Sequence, residues 1–231
     1  MIKVDRASVS DIDGIGAVVH DVWAQEILPE KCNALVNGDT SALWVAKEGE
    51  AILGFASAFL TVDAAGHRRC EIDLLAVSPG HQRKGLGPRL ITGVCQEAES
   101  WNVDVMRALV RVENEPSQRA FQRVGLGTDH SVHRLLLWSP DPGAERAPHP
   151  QGVSLIRVET VTYRGLWIEG LAELPEDEQR SIVKTARATI AQEDRRNAGA
   201  LVPVNEQGRL APGLLAGAKV QGDYLWLQRA G

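Results

Sequence analysis

The chain has 231 residues, which is more than one minimal domain and fewer than two full ones, so we expect a complete first domain and a smaller second one. A hydrophobic share of 44% and a charged share of 24% are typical of a soluble globular protein and exclude disorder and fibrous repeats. The formal net charge of -5 predicts no nucleic acid partner and weakly favours a cationic one.

The sequence shows neither a targeting segment nor a metal-binding pattern. Its first residues, MIKVDRASVSDIDG, lack the charged head and apolar run of a signal peptide, and no stretch is apolar enough for a membrane span. We therefore expect a cytoplasmic protein without membrane contact. Cys32, Cys70 and Cys95 are widely spaced and predict buried, reduced thiols. His130 and His133 would point to opposite faces of a strand, so no metal is expected.

Hydrophobic periodicity and turn residues predict an alternation of strands and helices up to residue 138. In chain order these are a strand at 2–6, a helix from Ser10 or Asp11 through Val22, a helix near 29–36, strands at 42–46, 52–62 and 71–77, a helix from Pro88 to Trp101, a strand at 106–112, a helix at 116–124 and a strand at 132–138.

The remainder of the chain has the composition of a linker followed by a second, shorter unit. Residues 139–152 contain four prolines and almost nothing that could be buried. Residues 153–231 then predict strands at 153–158 and 163–171, a helix from 175 to about 195, and strands at 200–204 and 224–227. This order repeats the second half of the first unit, so we hypothesise a degenerate partial repeat.

One loop carries the clearest chemical signal. Gly85 and Gly87 follow a strand and precede a helix, where a tight turn and free amide groups suit an anion such as pyrophosphate. Arg83 and Lys84 add two cations. The loop is not a P-loop, which needs Lys and then Ser or Thr after its last glycine, and a dinucleotide fingerprint needs a third glycine where Leu90 stands.

The loop QRKGLG at 82–87, with LLAVSP before it and NEPSQRAFQRVGL at 114–126 after it, resembles the GNAT superfamily of acyl-CoA-dependent N-acyltransferases. The resemblance covers residues 2–138. It implies an α/β (α+β) fold, in which a mixed, mostly antiparallel sheet flanked by helices splays between the strands that end at Val77 and near Val112. We therefore divide the chain into a GNAT domain (1–138), a Pro-rich linker (139–152) and a smaller C-terminal α/β lobe (153–231).

The same resemblance implies acetyl-CoA as the acyl donor, one molecule per chain, lying in the V-shaped gap of the sheet. No metal is implied. Backbone groups of one strand would pair with the pantetheine arm, the loop would hold the pyrophosphate, and an asparagine would help position the arm. In this sequence the corresponding residues are Leu75, Ala76, Val77, Gln82, Arg83, Lys84, Gly85, Leu86, Gly87 and Asn114.

Acetyl transfer to an amine requires a neutral nitrogen, and a lysine-like amine with a pKa near 10.4 needs a general base at neutral pH. Glu71 is the best candidate, because histone-type members of the family carry their catalytic glutamate at this place. The alternative for Glu71 is a structural ion pair with Arg68 or Arg69. Asp73 lies two residues further on and shares the same face of the strand.

The sequence departs from the family at the position where a tyrosine usually protonates the leaving thiolate, since Phe121 stands there. Either the thiolate leaves without a dedicated acid, or an acid comes from elsewhere, for instance Tyr224, for which packing alone is the alternative. Pro88 also removes one amide donor from the loop.

The leading prediction is acetyl transfer from acetyl-CoA to a primary amine of a small molecule or peptide, by direct attack in a ternary complex. The alternative is a catalytically silent acyl-CoA-binding sensor or interaction module. Self-association into a homodimer is left open.

Overall fold

The computed structural model describes residues 1–148, 150 and 152–231, and its strands form a single ten-stranded sheet. The strands are β1 (Lys3–Arg6), β2 (Ser41–Glu48), β3 (Ala51–Val62), β4 (Arg68–Val77), β5 (Val105–Arg111), β6 (Val132–Trp138), β7 (Ser154–Glu159), β8 (Arg164–Glu169), β9 (Asn197–Pro203) and β10 (Lys219–Ala230). The α-helices are α1 (Ile12–Trp23), α2 (Pro29–Asn37), α3 (Leu86–Glu99), α4 (Glu115–Gln122) and α5 (Glu176–Gln192).

These elements confirm the predicted alternation, and β6 has the predicted bounds. Helix α3 begins at Leu86, two residues before the predicted start, because Gly85 adopts a left-handed conformation with φ of 75° and so allows the helix to begin directly after it. Strand β10 is much longer than the predicted segment 224–227.

The last strand of the chain lies in the middle of the sheet. The strand order is β1-β2-β3-β4-β5-β10-β6-β9-β8-β7, so β10 separates β5 from β6. Strand β6, in turn, lies beside β9 of the C-terminal half. The pairs β4/β5 and β8/β9 are parallel. Strand β5 then pairs antiparallel with β10, from the C-terminal half, and β9 pairs antiparallel with β6, from the N-terminal half. The division at residues 139–152 stays a prediction, but the sheet is continuous across it.

The helices cover the sheet unevenly. Helix α3 packs with apolar residues such as Ile72 and Leu225 in one core, and α5 packs with Leu136 and Ala200 in a second core. Helices α1 and α2 form a third core on the opposite face of β2 to β4. Because strand side chains alternate between faces, β5 and β10 turn their other residues, including Trp226, toward this opposite face. A cavity lies there between the two halves.

The segment predicted as a linker lies partly against α5. Ala144 is buried, and the backbone N–H of Ala147 donates to the Thr185 hydroxyl. His149 and Gln151, which the linker prediction includes, lie outside the described residues. All three cysteines are buried and unpaired, as predicted. Within the described part of the chain, the helices are too short or too polar to cross a bilayer.

Candidate active site

The sheet opens between β4 and β5. The two strands pair only from Arg69 opposite Val105 to Ile72 opposite Ala108, whereas β4 remains paired with β3 as far as Val77. The β5-facing edge of β4 is therefore unpaired from Asp73 onward. Such an edge leaves backbone donors and acceptors available to an extended ligand.

The glycine loop lies at the end of this open edge. Its backbone N–H groups from residue 83 to residue 87 have no acceptor in the part of the chain that the structure describes. The Gln82 side chain donates to the Val77 carbonyl at 3.1 Å and so ties the loop to β4. A Cβ atom added at Gly85 would meet nothing within 4 Å, so the space in front of the loop is open. These free donors at a helix N-terminus fit the phosphates of a nucleotide.

A cavity of about 660 Å³, which we call the loop cavity, follows the open edge and the loop. Nine of the ten predicted cofactor residues line it: Leu75, Ala76, Val77, Gln82, Arg83, Gly85, Leu86, Gly87 and Asn114. Lys84 is exposed and does not line the cavity. Arg119 of α4 and Arg123, which directly follows that helix, also line the cavity, although the sequence reasoning did not select them.

Asn114 occupies the junction between this cavity and a second one. Its Oδ1 accepts the N–H of Ser117 at 3.2 Å and caps α4, which fixes the side chain. Its amide nitrogen has no acceptor among the described residues, and the residue lines both cavities.

The second cavity, of about 680 Å³, lies between the two halves and is called the central cavity below. Side chains of the first half, such as Asp73 and Phe121, form one wall. The C-terminal half and β10 contribute polar and aromatic residues to the other wall: Thr160, Thr162, Tyr163, Trp167, Arg196, Asn197, Lys219, Gln221, Tyr224 and Trp226. A volume of this size suits a small molecule.

Glu71 lines the central cavity but is engaged in a buried ion-pair network. Arg107, its partner in the β4–β5 register, donates to both carboxylate oxygens at 2.8 Å. The Thr61 hydroxyl donates at 2.6 Å, and Arg69 lies at 3.5 Å. Glu169 of β8 binds the same two arginines from the other half. Glu71 is therefore ion-paired, as the alternative proposed, but its principal partner is Arg107 rather than Arg68 or Arg69. These contacts disfavour Glu71 as the general base, a role that stays an untested prediction.

We expect Glu71→Gln to lower the free energy of unfolding by about 3 kcal/mol, because removing one partner of a buried ion pair leaves the arginines undercompensated. Urea denaturation measures the effect. Glu176→Gln is the matched control, since Glu176 pairs with Arg180 on an exposed helix surface and its loss should cost about 0.5 kcal/mol or less. Equal effects of the two substitutions would contradict a structural role for the Glu71 network.

Asp73 occupies the point where the sheet opens. In the β3–β4 register Ser57 faces Leu74 and Ala58 faces Ile72, so Asp73 is the extra residue of a β-bulge. Bulges redirect side chains and are frequent beside active sites. The side chain lines the central cavity, and its buried Oδ2 has no hydrogen-bond partner among the described residues.

The protonation of Asp73 follows from this environment. Burial is the main cause that raises the pKa of Asp73, to about 7. A hydrogen bond from Thr160 acts to lower this pKa, and the negative charge of Glu71 acts to raise it. A carboxylate with a pKa near neutrality is suited to exchange protons at physiological pH. Thr160 belongs to the β7–β8 turn, so the C-terminal half reaches this carboxylate.

Phe121, which stands where the family usually has a tyrosine, also lies at this site. Phe121 is buried and lines the central cavity, so its ring offers no proton. Tyr224 lines the same cavity on β10, opposite Arg111 of β5. Burial raises the pKa of Tyr224, which keeps the phenol protonated and able to donate a proton at neutral pH.

Comparison with known proteins relates part of this arrangement to a family. Residues 16–126 match the model of the Acetyltransferase (GNAT) family. This region of the chain is therefore similar to GNAT acetyltransferases, and it contains the splayed strands, the glycine loop and Asn114. The matched residues end before β6, so the family match itself says nothing about the C-terminal wall of the central cavity.

Three relatives illustrate the extent of the similarity. The spore coat polysaccharide biosynthesis protein SpsD of Bacillus subtilis (strain 168) is 25% identical over 122 residues, which are 53% of this chain but only 39% of that protein. Arabidopsis thaliana NAA60 in complex with acetyl-CoA has a TM-score of 0.50 and 20% identity over 58% of this chain and 88% of its own.

The third relative matches nearly the whole chain. It is the glucosamine N-acetyltransferase region of a fungal multi-domain GH3 β-N-acetylglucosaminidase, with a TM-score of 0.62 and 15% identity over 99% of this chain and 38% of its own. At this identity the match concerns the fold alone. The fold of both halves together therefore occurs in another protein.

Proposed function

We propose that the protein transfers an acetyl group from acetyl-CoA to a primary amine of a small molecule or peptide. The observation that carries the proposal is that the two cavities share lining residues, Asn114 among them: the glycine loop lines one cavity, and the Asp73 carboxylate lines the other. The loop cavity would hold the donor, and the central cavity would hold the acceptor. We propose that the amine attacks acetyl-CoA directly in a ternary complex, without a covalent enzyme intermediate, because the two cavities have room for both ligands at once.

Residues of this chain would supply binding and proton transfer. The N–H groups of the 83–87 loop would hold the pyrophosphate, and the open edge of β4 would pair with the pantetheine arm. When bound, acetyl-CoA supplies the acetyl group: the amine nitrogen forms a C–N bond with the carbonyl carbon as the C–S bond breaks, and the thiolate leaves with the electron pair.

We assign the general base to Asp73 rather than to Glu71. The amine must give up a proton, and Oδ2 of Asp73 is free to accept it, whereas both oxygens of Glu71 accept from Arg107. The network around Glu71 would then serve to place β4 and β5 and to keep the pKa of Asp73 high. Tyr224 would return a proton to the thiolate, with solvent as the alternative source.

Gly85→Glu is expected to weaken acetyl-CoA binding at least about 100-fold, because a carboxylate at this position would face the phosphates and Gly85 has a φ that disfavours side chains. Isothermal titration calorimetry should give one site per chain in the wild type. Gly49→Glu is a matched control: Gly49 also has a positive φ, of 60°, with nothing within 4 Å, but lies in the β2–β3 turn. Equal losses in both variants would mean that backbone strain alone is responsible.

Thiol release in the presence of an amine panel then distinguishes catalysis from silent binding. Binding of acetyl-CoA without release of coenzyme A for any amine would favour the sensor or interaction module. The raised pKa of Asp73 supports catalysis, since a silent module has no need for a half-ionised carboxylate at the open edge. A cytoplasmic location and a homodimer stay predictions.

A further inference from the structure

The charges that line the central cavity differ in sign from the chain as a whole. Among the acidic side chains, Glu71 is neutralised by its arginine partners and Asp73 has a pKa near 7. Among the basic ones, Arg111 pairs with Glu113 at 3.3 Å. Arg196 and Lys219 form no ion pair and no side-chain hydrogen bond with any residue that the structure describes. A protein with a net charge of -5 therefore presents two uncompensated cations along the wall and rim of this cavity.

Arg196 is held at the wall of the cavity by its backbone. It precedes β9, and its N–H donates to the Arg164 carbonyl at 2.9 Å. Its side chain is exposed at the cavity wall, which Tyr163 also lines, and its charge acts to lower the pKa of Tyr163, whose burial raises that pKa to about 12. A guanidinium in a cavity wall without an acidic partner is available to bind an oxyanion through two donors.

The β7–β8 turn contributes to the same cavity wall. It is closed by a hydrogen bond from the Thr160 N–H to the Tyr163 carbonyl, at 2.8 Å, and both residues line the central cavity. Asp73 and Arg196 line this cavity as well, and its volume of about 680 Å³ has room for a small molecule.

Lys219 adds a second cation at the rim. It is the first residue of β10, opposite Leu137 of β6, and its side chain is exposed. Leu137 also pairs with Gly199 of β9, so β9 and β10 flank the same end of β6. The two strands lie roughly 10 Å apart across β6, and Arg196 and Lys219 both line the central cavity.

We propose that the acceptor is an amine that also carries an anionic group, a carboxylate or a phosphate, with its amine at Asp73 and its anion at Arg196 and Lys219. The inference rests on the proposed function and narrows its substrate class. It departs from the expectation from the net charge of the chain, which weakly favours a cationic acceptor. Arg196 is the principal contact, because it is less hydrated than Lys219 and can bind an oxyanion through two donors.

The test compares pairs of amines that differ in one anionic group, at saturating acetyl-CoA with the full-length chain. Suitable pairs are glucosamine and glucosamine 6-phosphate, ethanolamine and O-phosphoethanolamine, and pentylamine and 5-aminopentanoate. We expect kcat/KM to be at least about tenfold higher for the anionic member of one or more pairs, and to fall as ionic strength rises. The phosphate and carboxylate pairs show which anion is preferred.

Two variants test whether Arg196 causes the preference for anionic acceptors. Arg196→Gln should lower kcat/KM for the anionic acceptors about tenfold or more, mainly through KM, and leave neutral amines and the KM for acetyl-CoA unchanged. Arg196→Lys should retain part of the preference. Arg180→Gln, which removes the same charge from an exposed position on α5, should change nothing.

The outcomes separate this inference from the function on which it rests. Neutral amines acetylated as well as their anionic counterparts would overturn the inference and leave N-acetylation intact. A preference that survives Arg196→Gln and Lys219→Gln together would also overturn it. Acetyl-CoA binding without transfer to any amine would overturn the proposed function, and the acceptor inference with it.

Discussion

Replacing Asp73 by asparagine is expected to lower kcat for acetyl transfer by about 10²- to 10⁴-fold, the range that a general base contributes. The affinity for acetyl-CoA should change little, because Asp73 does not line the loop cavity. Calorimetry with acetyl-CoA and steady-state thiol release measure the two quantities. Asparagine is nearly isosteric with aspartate but cannot accept the proton, so a loss of kcat would reflect the loss of proton transfer rather than a change in shape.

The pH dependence gives this prediction a direction. A base must be ionised, so wild-type kcat/KM should fall about tenfold per pH unit below the pKa of Asp73, near 7, and level off above it. The Asp73→Asn variant should lack this limb. A wild-type profile without an inflection near pH 7, or a variant that retains the inflection, would contradict the assignment of the base.

Stability should change in the opposite sense to activity. The folded-state pKa of Asp73 lies well above the ordinary value of 3.8, so its contribution to stability is fully present below pH 4 and is lost as the pH rises through about 7. Asp73→Asn removes this penalty and should raise Tm at pH 8 but not at pH 4. Glu71→Gln should instead lower Tm. A variant that loses both activity and stability would indicate that Asp73 is structural.

Truncation of the chain before Lys219 is expected to abolish the folded state, although it leaves the entire GNAT match intact. Strand β10 pairs with β5 from Tyr224 to Ala230 and with β6 on its other edge, so its removal exposes two strand edges at the centre of the sheet. It also removes Leu225 and Leu227 from the first core. Circular dichroism, urea denaturation and acetyl-CoA titration should all report the loss.

Two further measurements make this prediction specific. Leu227→Ala should cost about 2 to 5 kcal/mol, because Leu227 is fully buried, whereas Val220→Ala on the same strand, where Val220 is 48% exposed, should cost less than about 1 kcal/mol. A peptide of residues 219–231 added to the truncated chain should restore acetyl-CoA binding. A fragment of residues 1–138 that folds and binds acetyl-CoA alone would show that β10 is dispensable.

Much of the first half of the site could be predicted from local sequence. Gly85 and Gly87 predict a tight turn because only glycine adopts the required conformation without cost, and the alternation of β4 predicts that Glu71 and Asp73 share a face. Nine of the ten predicted cofactor residues line one cavity for this reason. The exposed Lys84 is the exception, because a loop pattern does not say which of its side chains turn outward.

The choice between the two carboxylates could not be predicted. Glu71 and Asp73 differ in their partners, and the principal partner of Glu71, Arg107, lies 36 residues away on a strand whose register the local pattern does not specify. The sequence would have indicated the Glu71–Arg107 ion pair only if β4 and β5 had been known to be parallel neighbours in this register. The bulge at Asp73 likewise exists only in the register with β3.

The sequence by itself determined the elements, the glycine loop and the family resemblance, because these depend on residues that are close along the chain. Only the tertiary structure decided that β10 completes the sheet of the first half, that Thr160 and Arg196 reach the central cavity, and that this cavity is locally basic in an acidic chain. These properties arise because strand edges and charges that are about 60 to 150 residues apart along the chain come together in the fold. Pairing at such distances is determined by which edges and faces remain unburied in the whole sheet, and no local window contains that information.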